Sequence, residues 1–91
     1  MARPADTSQP RFAAGCRWAP NSETPTVLFP EGAVQVQGTG QHILEQCDGQ
    51  RTFAEVVAEL QKLYTLADPV RIREDAGAFL ESLQQKRIVD Y

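Results

Sequence analysis

The hydrophobic pattern of the chain changes its period at Gly38, and this change limits the fold more than any other feature. Before Gly38, residues 26–29 form a β-branched and apolar run, and valine alternates with glutamine over residues 33–37. Alternation with a period of two is typical of a strand that buries one face. The intervening Pro30, Glu31 and Gly32 are turn formers. We therefore predict a β-hairpin that ends where the helical period begins.

Three helices are predicted after Gly38. The first is short, with Thr39 as its N-cap and Gly49 as its stop signal. The second begins at a capping box that starts at Thr52, and the third begins at Asp68 and ends near Lys86. The apolar stripes are Phe53, Val56, Val57, Leu60 and Leu63 on the second helix, and Ile72, Ala76, Phe79, Leu80 and Leu83 on the third.

The other segments complete the predicted organisation. Residues 1–10 mix prolines with small polar residues and have no period, so they are expected to be a mobile arm. A short first strand is expected at 15–19, a loop at 20–25 and an extended tail at 88–91. A chain of 91 residues supports one core. The prediction is therefore a single α+β domain at 11–91, winged-helix-like, with a three-stranded antiparallel sheet followed by three helices.

The sequence offers little for catalysis or metal binding. Cys16 and Cys47 are the only cysteines and His42 is the only histidine, so four strong soft-metal ligands are lacking and both cysteines are expected to be small core residues. His42 has no evident partner for acid–base work. We expect no catalytic residue, no metal and no cofactor. The chain lacks an apolar run that could span a bilayer or act as a signal peptide, which predicts a cytoplasmic protein with no membrane partner.

A winged-helix DNA-binding or transcription-regulatory domain is the alternative function. Arg71 and Arg73 near the start of the third helix would suit a recognition helix. However, the net charge is −3, and residues 68–91 contain five acidic side chains against four basic ones. This balance lacks the basic surface that nucleic acid requires, so nucleic acid is not an expected partner.

Peptide recognition is the function that the predicted groove favours. A free strand edge presents unpaired N–H and C=O groups to an extended peptide, and neighbouring apolar side chains select its sequence. The strand at 33–37 beside the third helix offers both features. It carries neither proline nor charge, so the same edge could also pair with a second copy to give a homodimer.

Several segments resemble one known family. They are residues 27–32 (VLFPEG), 43–49 (ILEQCDG) and 56–60 (VVAEL), followed by Asp75, Phe79, Leu80 and Leu83 at their helical spacing. In this order they closely resemble the pyrroloquinoline quinone biosynthesis protein D family, PqqD, over residues 11–91. Two departures are a Val36-Gln37 pair where the family usually has Leu-Asn, and Lys86-Arg87 where it usually has a glycine.

The resemblance implies a peptide chaperone of the RiPP recognition element class. Such a domain binds the ribosomal precursor peptide and presents it to a radical SAM enzyme, which cross-links glutamate and tyrosine side chains of that peptide. The precursor adds as a strand and lies against the third helix. The residues to which this site maps are Ala33, Val34, Gln35, Val36, Gln37, Asp75, Phe79 and Leu83. Phe79, Leu80 and Leu83 are equally compatible with a purely structural place in the core.

Overall fold

A computed structural model describes residues 3–20 and 23–91, and it confirms the predicted α+β class. A three-stranded antiparallel sheet in the order β2–β3–β4 accompanies three helices, and a second, two-stranded sheet pairs β1 with β5. The elements are β1 (Arg11–Phe12), β2 (Arg17–Trp18), β3 (Thr26–Phe29), β4 (Gly32–Gln35), α1 (Thr39–Glu45), α2 (Phe53–Leu63), α3 (Pro69–Gln85) and β5 (Val89–Asp90). The loop predicted at 20–25 and the arm at 1–10 each lie partly outside the described residues.

The inner face of the larger sheet belongs to the hydrophobic core. Val27 on the central strand β3 faces Trp18 on β2 and Val34 on β4, and its side chain is fully buried. Residues one position along each strand point to the opposite face, where Arg17 and Ala33 are exposed. The period of two in the sequence thus corresponds to one buried and one open face.

Two of the three predicted helix caps are confirmed. The Thr52 hydroxyl accepts the Glu55 N–H at 3.2 Å, and the Glu55 carboxylate accepts the Thr52 N–H at 2.8 Å. The Asp68 carboxylate accepts the Val70 N–H at 2.9 Å. The prediction of Thr39 as a cap was wrong, because Gly38 is the N-cap and Thr39 is the first helical residue. The chain enters α1 with a φ of 63° at Gly38, which glycine adopts with less strain than threonine.

The end of α3 explains the course of the C-terminal tail. Lys86 is the C-cap, as predicted, and Arg87 follows in the left-handed conformation with a φ of 61°. The Arg87 N–H donates to the Gln84 carbonyl and the Ile88 N–H to the Leu83 carbonyl, both at 2.9 Å. These two bonds form a Schellman motif, which ends the helix and reverses the chain. The chain then continues into β5, which pairs with β1.

The arm lies against the helices where the structure describes it. The Ser8 carbonyl accepts the Phe53 N–H at 2.7 Å, which satisfies an N–H in the first turn of α2. Asp6 forms an ion pair with Arg73, whose guanidinium also lies 5.4 Å from the centre of the Phe53 ring. Pro4 is buried. The mobility of this arm stays a prediction.

The core lies between the sheet and the three helices. Leu63 is an exception among the predicted stripe residues, because its side chain is 56% exposed in the last turn of α2. Leu66 and Val70 are also exposed near this corner. Within the described ranges, no helix is both long and apolar enough to cross a membrane. The buried apolar residues are Val27, Val36, Ile43, Leu44, Cys47, Phe53, Val56, Val57, Leu60, Ile72, Ala76, Leu80, Leu83, Ile88 and Val89.

Candidate functional site

A groove of about 460 Å³ lies between the open side of β4 and the outer face of α3, and the start of α1 forms one of its walls. We call it the β4–α3 groove. It is lined by Val34, Gln35, Val36, Gln37, Thr39, Gly40, Ile43, Asp75, Phe79, Ser82, Leu83 and Lys86. Its position matches the groove that the sequence predicts between a strand edge and the third helix.

Seven of the eight predicted site residues line this groove, and Ala33 does not. Val36 and Leu83 are buried, so they contribute both to the core and to the floor of the groove. Val34 and Phe79 are half-buried and form apolar walls. A structural role and a peptide-binding role are therefore compatible for Leu83 and Phe79, because each side chain packs against the core and also lines the groove.

The backbone of β4 has one unpartnered side among the described residues, because the sheet ends at this strand. The Val36 N–H donates to the Pro25 carbonyl at 2.8 Å, so Val36 points its backbone groups toward β3. Backbone groups in an antiparallel strand alternate in direction. Val34 therefore also points toward β3, while Ala33 and Gln35 direct their N–H and C=O groups away from the sheet. Ala33 thus belongs to the open edge through its backbone.

The observed strand is shifted from the predicted one. The prediction covered residues 33–37, whereas β4 spans Gly32–Gln35. Val36 and Gln37 lie beyond its end, although the bond from Val36 to Pro25 extends the pairing by one position. The shift follows from the turn, because Gly32 already pairs with Phe29 across a two-residue connection.

Sequence reasoning missed five residues that line the groove, namely Thr39, Gly40, Ile43, Ser82 and Lys86. Helical spacing could have found two of them, because Ser82 and Lys86 follow Phe79 by three and seven positions on the same face of α3. The α1 residues had no comparable signal, since their place in the groove depends on how α1 packs.

Gly40 allows α1 to approach the groove closely. A β-carbon at this position would lie 3.0 Å from Cζ of Phe79 and 3.0 Å from Cγ1 of Val36. Both distances are shorter than an ordinary van der Waals contact between carbon atoms. The missing side chain of Gly40 thus provides the space in which the Phe79 ring lies.

The charged groups of the groove lie at different positions along α3. Asp75 forms an exposed ion pair with Arg71 on the preceding turn, with 3.3 Å between its Oδ1 and the arginine Nε. Lys86 lies at the C-cap, eleven residues further on. At 1.5 Å per residue the two positions are about 16 Å apart along the axis. The groove therefore has a carboxylate paired with Arg71 near one end and Lys86 near the other, with an apolar floor between them.

The other reactive side chains lie elsewhere. Nδ1 of His42 is 2.5 Å from the Tyr64 hydroxyl, which gives the histidine a partner that the sequence did not reveal. Burial raises the pKa of the Cys47 thiol to about 12, and burial also raises the pKa of Cys16. In the part of the chain that the structure describes, no three histidine, cysteine or acidic side chains cluster in a way that could hold a metal ion.

Fold and groove together define a small α+β domain that loosely resembles a winged helix and has an open sheet edge beside its longest helix. Residues 26–89 match the family model described as Coenzyme PQQ synthesis protein D (PqqD). The chain belongs to this family, which confirms the resemblance found in the sequence.

Similar proteins agree with this assignment. The PqqA binding protein of Stutzerimonas stutzeri is 38% identical over 77 residues, which are 82% of each chain. The PqqA binding protein of Azotobacter vinelandii is 32% identical over 85 residues, which are 93% of this chain and 90% of the relative. The solution NMR structure of the PqqD truncation of Methylobacterium extorquens PqqCD, described as a functional and stand-alone RiPP recognition element, is 26% identical. It superposes with a TM-score of 0.77 over 96% of this chain and 94% of its own.

Proposed function

We propose that this protein binds the precursor peptide of pyrroloquinoline quinone as an added strand on β4, with the peptide side chains packed in the β4–α3 groove. The observation that carries the proposal is the open edge of β4 beside an apolar floor. The outward N–H and C=O groups of Ala33 and Gln35 can pair with a peptide backbone, while Val36 and Leu83 offer apolar contact beneath it.

The relatives support the identity of the peptide. Proteins that share about a third of their residues with this chain are named for binding PqqA. The superposed Methylobacterium extorquens domain is described as a recognition element for ribosomally synthesised peptides. We therefore infer that this chain binds PqqA and presents it to the radical SAM enzyme of the same pathway. A ribosomal peptide substrate also favours a cytoplasmic place of action.

We propose that the protein is a chaperone without catalytic activity of its own. The single histidine is hydrogen-bonded to a tyrosine, and the Cys47 thiol is buried with a raised pKa. The Cys47 thiol is therefore not an activated nucleophile, because activation requires a neighbouring base or a lowered pKa. A homodimer through the β4 edge would compete with the peptide for the same backbone groups, so we expect peptide to dissociate such a dimer.

The DNA-binding alternative has less support. Arg71 and Arg73, the two cations expected on a recognition helix, form ion pairs with Asp75 and Asp6. Both cations are therefore engaged with carboxylates of the domain itself, and the neighbouring Glu74 is exposed.

The test replaces Gln35 with proline. Gln35→Pro removes an N–H that points away from the sheet, so it leaves the bonds between β3 and β4 in place. It removes one hydrogen bond to the peptide and puts a ring in its path, and we expect the affinity for labelled PqqA to fall at least about ten-fold. Gln35→Ala keeps the backbone and is the matched control.

Thermal unfolding of both variants provides the check on folding. The proposal requires that Gln35→Pro stays folded and loses binding while Gln35→Ala keeps it. A folded Gln35→Pro that binds PqqA as tightly as the parent would show that the peptide does not add to β4.

A further inference from the structure

A second hollow lies beside the tip of the β3–β4 hairpin and shares one lining residue, Lys86, with the β4–α3 groove. Its volume is about 350 Å³, and its lining residues are Ala13, Ala14, Phe29, Pro30, Glu31, Lys86 and Arg87. We call it the tip hollow. Lys86 lines both the groove and the tip hollow. A peptide in the groove that contacts Lys86 is therefore adjacent to the tip hollow.

The two cations of the tip hollow differ from most others in the protein. Six of the nine lysine and arginine side chains form ion pairs with carboxylates. Among residues 3–20 and 23–91, the cations without such a pair are Lys86, Arg87 and Arg17. Glu31 also lines the tip hollow, but it forms no ion pair with either cation. In a chain of net charge −3, a pair of available cations beside a groove is a distinctive feature.

The backbone at Arg87 gives an independent reason to regard this position as special. Its φ of 61° is left-handed, a conformation that is strained for a residue with a side chain. Glycine would occupy the position without that strain. The Schellman motif accounts for the conformation, and an arginine rather than a glycine at this position places a cation beside the tip hollow.

We propose that the tip hollow is a subsite for an acidic residue of the bound peptide, with its carboxylate between Lys86 and Arg87 and a neighbouring apolar side chain on Phe29 and Pro30. This inference rests on the proposed strand addition to β4. The other strands of this sheet pair antiparallel, and we take the added strand to do the same. A strand antiparallel to β4 runs from Gln37 toward the hairpin tip, which places the acidic residue on the C-terminal side of the segment that faces Gln35. The ligand is thus an extended peptide with an acidic residue in a fixed register.

The experiment measures binding of labelled synthetic PqqA by fluorescence anisotropy at two salt concentrations. The test variant is Lys86→Gln with Arg87→Gln, which removes both charges and keeps long polar side chains. Arg17→Gln is the matched control, because Arg17 is the remaining unpaired cation and lies on β2, at the opposite edge of the sheet from β4. We expect the double variant to bind at least five-fold more weakly at low salt with a reduced salt dependence, and the control to change less than two-fold.

A second measurement identifies the acidic residue. Each aspartate or glutamate of PqqA is replaced in turn by asparagine or glutamine, and one replacement should weaken binding to the parent protein but not to the double variant. Equal binding by the parent and the double variant would overturn the tip-hollow subsite and leave strand addition intact. Failure of the parent itself to bind PqqA would overturn the proposed function, so the two failures are distinct.

Discussion

Gly40→Ala adds one methyl group where α1 meets the wall of the β4–α3 groove. The new β-carbon would lie 3.0 Å from the Phe79 ring and 3.0 Å from Val36. The ring of Phe79 is half-buried and can move outward into the groove. Val36 is only 6% exposed and β-branched, so its methyl group has little freedom to move. The helix must therefore shift, or the ring must leave its place, or both.

The magnitude follows from two opposing effects. Overpacking of this kind typically destabilises by about 1–3 kcal/mol. Alanine is favoured over glycine within a helix by about 0.5–1 kcal/mol, and at the second position of α1 the smaller value applies. We expect Gly40→Ala to lower the free energy of unfolding by about 1 kcal/mol. For a domain of this size, that corresponds to a fall in Tm of about 4–8 °C.

The assay combines thermal unfolding with PqqA binding, and it includes Gly40→Ala together with Phe79→Leu. The smaller leucine vacates the space beside the new methyl group, so the double variant should recover part of the loss in Tm. This coupling is the signature of contact between positions 40 and 79. A Gly40→Ala protein with a raised Tm and unchanged binding would refute the reasoning, since helix propensity alone would then explain the effect.

Three further outcomes are expected. Arg87→Gly should raise the Tm by about 3 °C and weaken PqqA binding. The gain from relieving the left-handed backbone is larger than the cost of the added unfolded-state entropy, and the net stabilisation is about 0.5 kcal/mol. The backbone N–H of Arg51 donates to Asp48 and that of Thr52 donates to Glu55, and these bonds hold the pKa of each carboxyl group below its ordinary value. The ionised carboxylates therefore stabilise the fold fully above about pH 5, and this contribution to the free energy of unfolding is lost as the pH falls through the lowered pKa values. Asp48→Asn with Glu55→Gln should therefore flatten the acid-side fall in Tm. Sedimentation should detect self-association at high concentration that Gln35→Pro removes, and a parent that stays monomeric would contradict pairing through β4.

The parts of the fold that were predictable depend on local chemistry. The capping box at Thr52 and the Asp68-Pro69 start of α3 were visible because their partners are near neighbours in sequence. The N-cap of α1 was not visible in the sequence, because the choice between Gly38 and Thr39 depends on the φ angle that the chain needs as it leaves β4. Local sequence does not contain that angle.

In the candidate site, too, the features set by local sequence were predictable and those set by tertiary packing were not. The open edge and the α3 face were predictable because periods of two and 3.6 place residues on faces. The contribution of Gly40 was not, because it depends on where α1 packs against Phe79. The partner of His42 was hidden for a similar reason, as Tyr64 lies 22 residues away at the end of α2.

The pairing of β1 with β5 has a consequence for the synthesis of the chain. Arg11 faces Asp90, so β1 can pair only after β5 has been synthesised. In contrast, β3 and β4 can pair as soon as their short turn has formed. Translation of α3 and β5 takes roughly one to four seconds at about 5–20 residues per second. During that interval the open edge of β4 lacks its neighbouring helix, and the apolar floor beneath it is uncovered. The nascent chain is therefore most exposed to aggregation just before its last two elements dock.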